Sequence, residues 1–214
     1  SPIHDHGHTK KAMERTHRWA LRTLTAFKEG SNQSNQGQSL FGIIQGGAYK
    51  DLRQESAGFI VKQDFDGYAI GGSLGESTQD MDKVVSLTIL LFPETTAGYL
   101  LGIGEVEDVF GVIESGIDLF DCVAPISLGR TGTVFTLSAT RFRIHLRNAR
   151  FKNDPDPIEK GCSCPTCLNH SRAYLRHLYM AKELLAYRLN TIHNIYFYMS
   201  FMEQVRFAIR TGEF

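Results

Sequence analysis

The sequence has no apolar run long enough to cross a membrane, no net charge, and only four cysteines in 214 residues. A membrane helix needs about 20 consecutive apolar residues. The most apolar stretch here, 84–92, suffices for one buried helix, and no membrane partner is expected. The opening residues Ser1 to His8 contain no apolar core of the kind a secretory leader carries, so a cytoplasmic chain is expected. The balance of 23 basic and 23 acidic side chains gives no sign of a nucleic-acid partner by itself. The cysteines are too clustered for a disulfide framework. Three of them, Cys162, Cys164 and Cys167, fall within six positions, which in a cytosolic chain points to metal.

What is present is an ordinary globular composition, 42% hydrophobic and 21% charged, enough for a domain with a real core. The charge is unevenly spread. Residues 1–140 carry 11 basic and 17 acidic side chains, whereas 141–214 carry 12 and 6, so the two parts differ as −6 against +6. A basic C-terminal part is suited to a polyanion, although solvated basic helices give the same signal.

Periodicity places a helix over 9–27, with Ala12, Met13, Ala20, Leu24 and Phe27 close to a 3.6-residue repeat. A polar Gly/Asn/Gln-rich loop follows at 28–38. Strands are then expected at 40–45, 67–71, 98–103 and 118–123, separated by helices at 49–63, 79–91 and 106–114. Alternation of this kind means parallel strands with helical crossovers, in a barrel or in an open doubly wound sheet. The glycines and polar residues that end each apolar run favour the barrel, whose sites lie on that rim. Beyond 123 the pattern changes. We expect a turn and short strand at 129–136, an edge strand at 142–151, and helices at 171–189 and 194–210. The boundary is set at 140, with a partial barrel over 1–140 and a helical metal-binding part over 141–214.

Cys162-x-Cys164-x-x-Cys167 puts three thiolates on one tight loop. A structural zinc site needs a fourth donor. His170, close in sequence, and His193, expected in the break between the last two helices, both qualify, as does His177. A closed site of this composition has no open position for water, so its role is structural.

An ordered set of strings resembles the tRNA-guanine (queuine) transglycosylases. They are Phe41-Gly42-Ile43-Ile44-Gln45-Gly46-Gly47, Gly67-Tyr68-Ala69-Ile70-Gly71-Gly72, Gly98-Tyr99-Leu100-Leu101-Gly102-Ile103-Gly104, Gly116-Ile117-Asp118-Leu119-Phe120-Asp121-Cys122-Val123, Leu146-Arg147-Asn148-Ala149-Arg150-Phe151, the cysteine cluster, and His193-Asn194. The resemblance runs from about Met13 to the last residue. It implies an α/β fold of the (β/α)8 TIM-barrel type, of which only the C-terminal part is present, with an appended zinc-binding subdomain, and it selects His193 as the fourth ligand of a structural Zn2+.

The resemblance further implies exchange of the wobble guanine of tRNA with a GUN anticodon for a 7-deazaguanine base, preQ1 or queuine. Asp121 matches the nucleophile. Gln45, whose amide both donates and accepts, matches the residue that reads the guanine edge. Gly71 and Gly72 match a close-approach site beside the base, Glu76 a position near the charged tail of preQ1, and Leu101 one apolar wall. Arg130, Arg147 and Arg150 are candidates for the tRNA backbone, and a homodimer is implied. Two departures stand out. The family's first barrel strands, a second catalytic Asp and an Asp-x-Cys segment have no counterpart, so this chain alone is not expected to complete an active site. Ile126 and Ser127 replace the family's Thr and tRNA-contacting Arg. A non-catalytic partner subunit or degenerate half is therefore the alternative.

Overall fold

Four short apolar segments become β1 (Phe41–Ile44), β2 (Gly67–Ile70), β3 (Ala97–Leu100) and β4 (Leu119–Phe120). The helices α2 (Lys50–Ile60), α3 (Thr78–Ile89) and α4 (Val106–Glu114) connect them, and α1 (His6–Gly30) precedes β1. The computed structural model describes residues 5–30, 37–72 and 78–214. Glu76 and most of the expected loop 28–38 lie outside the described residues. By contact the chain forms two units, Ser1–Cys122 and Val123–Phe214.

In the first unit the four strands are parallel and lie in chain order, β1-β2-β3-β4. One row of paired positions crosses the sheet, with Ile43 beside Ala69, Ala69 beside Tyr99, and Tyr99 beside Leu119. Side chains alternate across a strand, so Ile44, Tyr68, Ile70 and Leu100 point the other way. They are buried against α2, α3 and α4, among Ala57, Ile60, Met81, Val85 and Val112. The opposite face, with Phe41, Ile43 and Tyr99, is only half-buried, and Leu119 on it is 48% exposed.

The strands are shorter than the apolar runs suggested. The run 98–103 leaves the sheet after Leu100 because Gly102 takes φ +79° and turns the chain. The expected strand 118–123 contracts to two residues, since Asp121 and Cys122 lie outside the ladder.

The second unit departs further. Where a turn was expected, α5 (Ala124–Thr131) forms, with Pro125 in its first turn and Gly132 at φ +94° ending it. Gly129 lets this helix touch the last one. A Cβ there would sit 3.1 Å from the Thr191 amide nitrogen. The expected edge strand 142–151 is instead one arm of a hairpin, β5 (Thr133–Phe135) with β6 (Arg143–His145), followed by a short 3-10 turn at Ala149–Phe151. Three helices complete the unit: α6 (Pro165–Asn169), α7 (Arg172–Met180) and α8 (Leu184–Thr211).

The helix break lies at 181–183, where Lys182 has φ +60°, and not beside His193. His193 is therefore in the middle of α8. The apolar stripe hid the break because α7 and α8 contribute Leu175, Leu178, Ala186 and Leu189 to one core, so the pattern stays nearly in phase across it. Tyr174 and Leu185, expected on that stripe, are exposed. Of the aromatic run 196–198, Phe197 and Tyr198 are buried and Tyr196 is partly exposed. Among the described residues no helix is long and apolar enough to cross a membrane.

Candidate active site and metal centre

The four strands of the first unit end on one rim, and strand parity decides what reaches it. Gln45, Gly71, Leu101 and Asp121 each follow Ile43, Ala69, Tyr99 and Leu119 by two residues, so they project from the same face as that row. The Gln45 amide lies over Gly71 and Gly72. A Cβ on Gly71 would approach Gln45 Nε2 to 2.9 Å, and one on Gly72 would approach Oε1 to 2.6 Å. Neither position has room for a larger residue. Leu101, 36% exposed, offers an apolar surface on the rim.

Asp121 is exposed, and one of its carboxylate oxygens is fixed. Oδ1 accepts a hydrogen bond from the Tyr99 hydroxyl at 2.9 Å and another from the Gly102 amide at 3.1 Å. Burial, together with the bond to Asp121, raises the Tyr99 phenol above its ordinary pKa, so it remains a donor at neutral pH. The sequence reading did not single out Tyr99. Its parity with Leu101 and Asp121 was the available signal.

The loop behind Gln45 is held from the helices. The backbone N–H of Gln45 donates to Ser56 Oγ at 3.0 Å, and that hydroxyl is 3.0 Å from His17 Nε2. Arg53, fully buried, donates from Nε to the Gly47 carbonyl at 2.8 Å and from Nη1 to the Ile44 carbonyl at 3.0 Å. Burial lowers its guanidinium pKa to about 10, so it stays charged. Gly46, at φ +139°, allows this contact, because a Cβ there would meet the Arg53 amide nitrogen at 2.7 Å. Arg53, Ser56 and His17 were also absent from the sequence reading. Each sits on a helix outside the glycine strings, and packing brings them to the loop that carries Gln45.

In the second unit Cys162, Cys164, Cys167 and His193 offer four donor atoms within 4.8 Å of one another. His193 Nδ1 lies 3.9, 3.5 and 3.3 Å from the three sulfurs in that order. Zinc bonds of about 2.3 Å to sulfur and about 2.0 Å to nitrogen give tetrahedral N···S edges of about 3.5 Å, so the donor set fits a zinc ion. His193 Nε2 donates to the Phe135 carbonyl at 2.8 Å, which leaves the Nδ1 lone pair for the metal. The Cys164 sulfur accepts from the Cys167 amide at the start of α6. A hydrogen bond from the Cys167 thiol holds the Cys164 thiol well below its ordinary range. The same proton-sharing, together with burial, pushes the Cys167 thiol up. A zinc ion bound here would displace the thiol protons. Cys122 is not among the four. Arg130, Arg147 and Arg150 are all exposed in this unit, Arg150 with its guanidinium 4.6 Å from the Phe151 ring centre.

A family model described as queuine tRNA-ribosyltransferase matches residues 1–214. The chain belongs to this family. A relative from Archaeoglobus fulgidus is 48% identical over 220 residues, covering 100% of this chain and 53% of that protein. Queuine tRNA-ribosyltransferases from Solidesulfovibrio magneticus and Thermoanaerobacter pseudethanolicus are 44% and 45% identical, covering 98% and 96% of this chain and 55% and 53% of theirs. The chain thus spans about half the length of these relatives. The Cys162, Cys164, Cys167 and His193 cluster is consistent with the structural zinc of this family.

Proposed function

We propose that this chain is the C-terminal part of a tRNA-guanine transglycosylase, with 1–140 a portion of a (β/α)8 barrel and 141–214 its zinc-binding subdomain. The observation that carries the reading is the Asp121 carboxylate, oriented by Tyr99 and Gly102 on the rim that also bears Gln45, Gly71 and Gly72. The sequential strand order suits a barrel, whose neighbours follow one another in the chain.

In the proposed reaction a free oxygen of Asp121 attacks C1′ of the wobble nucleotide. The bond from C1′ to guanine breaks, its electron pair leaves with the base, and a covalent ribosyl-enzyme results. A 7-deazaguanine, preQ1 or queuine, then attacks C1′ and releases Asp121. The hydrogen bonds to Oδ1 leave the second oxygen for the attack. Gln45 reads the edge of the base and Leu101 packs on its face. Glu76 is placed beside the base's substituent by the family resemblance. Arg130, Arg147 and Arg150 contact the backbone of tRNA with a GUN anticodon. Zinc, when bound, supplies structure, since four protein donors complete its shell. A cytoplasmic setting suits three closely spaced reduced thiols. Exposed Leu168, Met180 and Leu184 suit assembly as a homodimer.

The test is incorporation of labelled guanine into unmodified tRNA bearing a GUN anticodon, with Asp121→Asn as the control. Asp121-dependent incorporation supports the reading. A folded, zinc-loaded chain that incorporates nothing alone, and nothing when supplied with the N-terminal half of a relative, refutes it. One observation favours a second reading, a non-catalytic partner subunit. Ile126 and Ser127 stand where the family has a Thr and a tRNA-contacting Arg, and Ile126 is 49% exposed.

A further inference from the structure

The hairpin β5–β6, the 3-10 turn after it and the start of α7 border an open, polar cavity of about 550 Å³ in the second unit. Ser138, Thr140, Arg143, Arg150, Asp154 and Arg172 line it. Three guanidinium groups face one carboxylate, so the lining carries an excess of positive charge. The one acid is already engaged. Asp154 accepts from Arg172 Nη1 at 3.1 Å and from the Asp156 amide at 2.9 Å. Arg172 is further fixed by its bond to the Ile158 carbonyl at 3.0 Å and lies 5.7 Å from the Phe151 ring centre. Arg150, 4.6 Å from the same centre, forms no ion pair among the described residues.

The wall that carries Thr140 is held in an unusual backbone. Arg141 and Phe142 are consecutive non-glycine residues with φ +60° and +53°. Such conformations persist only where their surroundings enforce them. Here the Phe142 amide donates to the Ala139 carbonyl, and the Thr136 amide donates to the Phe142 carbonyl, both at 3.0 Å. The result is a concave surface of hydroxyl and guanidinium donors. Two non-bridging oxygens of a phosphodiester match a guanidinium fork, which a carboxylate-lined or apolar pocket would not accept.

We propose that this cavity is a phosphate-binding site that seats a segment of the ribose-phosphate backbone away from the exchanged base. The proposal rests on the tRNA reading for the source of the phosphate, and on the cavity alone for its chemistry. It places Arg143 beside Arg150 in the polyanion contact, an arginine that family resemblance did not indicate.

Two measurements on the full chain separate these parts. Inorganic pyrophosphate is titrated while the arginine Nε–H resonances are followed by NMR. The expected result is a saturable shift of Arg143 and Arg150, with binding about tenfold weaker in Arg150→Gln. Arg206→Gln, which removes an exposed arginine of α8 outside the cavity, should leave that shift intact. Absence of the shift, or its persistence undiminished in Arg150→Gln, overturns the site. Labelled tRNA is then titrated across a range of salt. The log–log slope should fall by about 0.9 for Arg150→Gln and for Arg143→Gln. Pyrophosphate binding with unchanged tRNA slopes would overturn the polynucleotide as occupant. Neither measurement depends on Asp121, so failure of base exchange is read separately.

Discussion

The imidazole of His193 donates from Nε2 to the carbonyl oxygen of Phe135 at 2.8 Å, while the side chain of the next residue, Asn194, accepts from the amide of that same Phe135 at 3.0 Å. Consecutive residues of α8 thus satisfy both backbone groups of one residue of β5. Asn194 Nδ2 also donates to the carbonyls of Pro125, at 2.9 Å, and Thr133, at 3.2 Å. The metal ligand and the clamp on the hairpin are one construction. Loss of zinc should therefore be felt at β5, well beyond the cysteine loop.

The first prediction concerns that coupling. Purified chain should contain about one zinc per molecule by elemental analysis. Removal with a strong chelator should raise hydrogen exchange at Phe135 and across α8 while α2 and α3 keep their protection. His193→Ala should lose zinc and expose the Phe135 carbonyl together, lowering stability by at least about 3 kcal/mol. Retention of full zinc and unchanged exchange in His193→Ala would contradict the assignment of the fourth ligand.

Asn194 makes the second. It is fully buried and spends both ends of its amide on backbone groups. Asn194→Ala should cost about 2–4 kcal/mol in denaturant unfolding. Asn194→Asp should cost more, because a carboxylate still accepts from Phe135 but turns an oxygen toward the Pro125 and Thr133 carbonyls. Wild-type stability of Asn194→Asp would show that the amide donor is unimportant.

A third prediction addresses the rim. Tyr99→Phe removes one of two donors to Asp121 Oδ1 and leaves the packing against Phe41, at a ring-centre distance of 6.1 Å, in place. In any preparation that supports base exchange, the chemical step should slow by about tenfold, a loss expected of one hydrogen bond to a charged group. The KM for tRNA should stay the same. A change confined to KM would place Tyr99 in binding instead.

Gly46 supplies a fourth. A methyl group there would approach the Arg53 amide nitrogen to 2.7 Å and force a side chain onto a backbone at φ +139°. Gly46→Ala should destabilise the first unit by about 2–4 kcal/mol and displace Gln45. Gly58→Ala serves as the comparison, since a Cβ there meets nothing within 4 Å in the last turn of α2. It should be neutral or slightly stabilising.

The last concerns pH. Burial lowers the His17 pKa below its ordinary value of 6.5. The imidazole is stacked 4.3 Å from the Phe59 ring centre and bonded to Ser56. Between the folded and the unfolded pKa the unfolded chain binds more protons, so stability rises with pH in that window. The first unit should therefore lose stability as pH falls below about 6.5. His17→Gln should flatten that part of the profile, as followed by thermal unfolding. An identical pH profile in the variant would remove His17 as its source.

Much of the architecture was legible because it depends on local rules. Alternating apolar runs and glycines dictated parallel βα units, and α4 falls where its 3.6-residue repeat placed it, at Val106–Glu114. Three cysteines in six positions specify a metal loop whatever surrounds them, since short spacing alone keeps thiolates in reach of one ion. The second unit was less legible. Gly129 suggested a turn, yet its lack of a side chain serves a helix crossing. His193 was expected at a helix break because the apolar stripe runs through the real break at Lys182.

By itself, the sequence determined the βα order, the cysteine loop and the strings that place the chain in its family. Each of these lives in contiguous residues, where spacing and propensity decide. Tertiary structure alone decided that Tyr99 orients Asp121, that Arg53 and Ser56 hold the Gln45 loop, and that Phe135 is bound by both His193 and Asn194. Those relationships join residues 6 to 59 positions apart. They arise when packing removes water and buried donors must find acceptors wherever the fold has placed them.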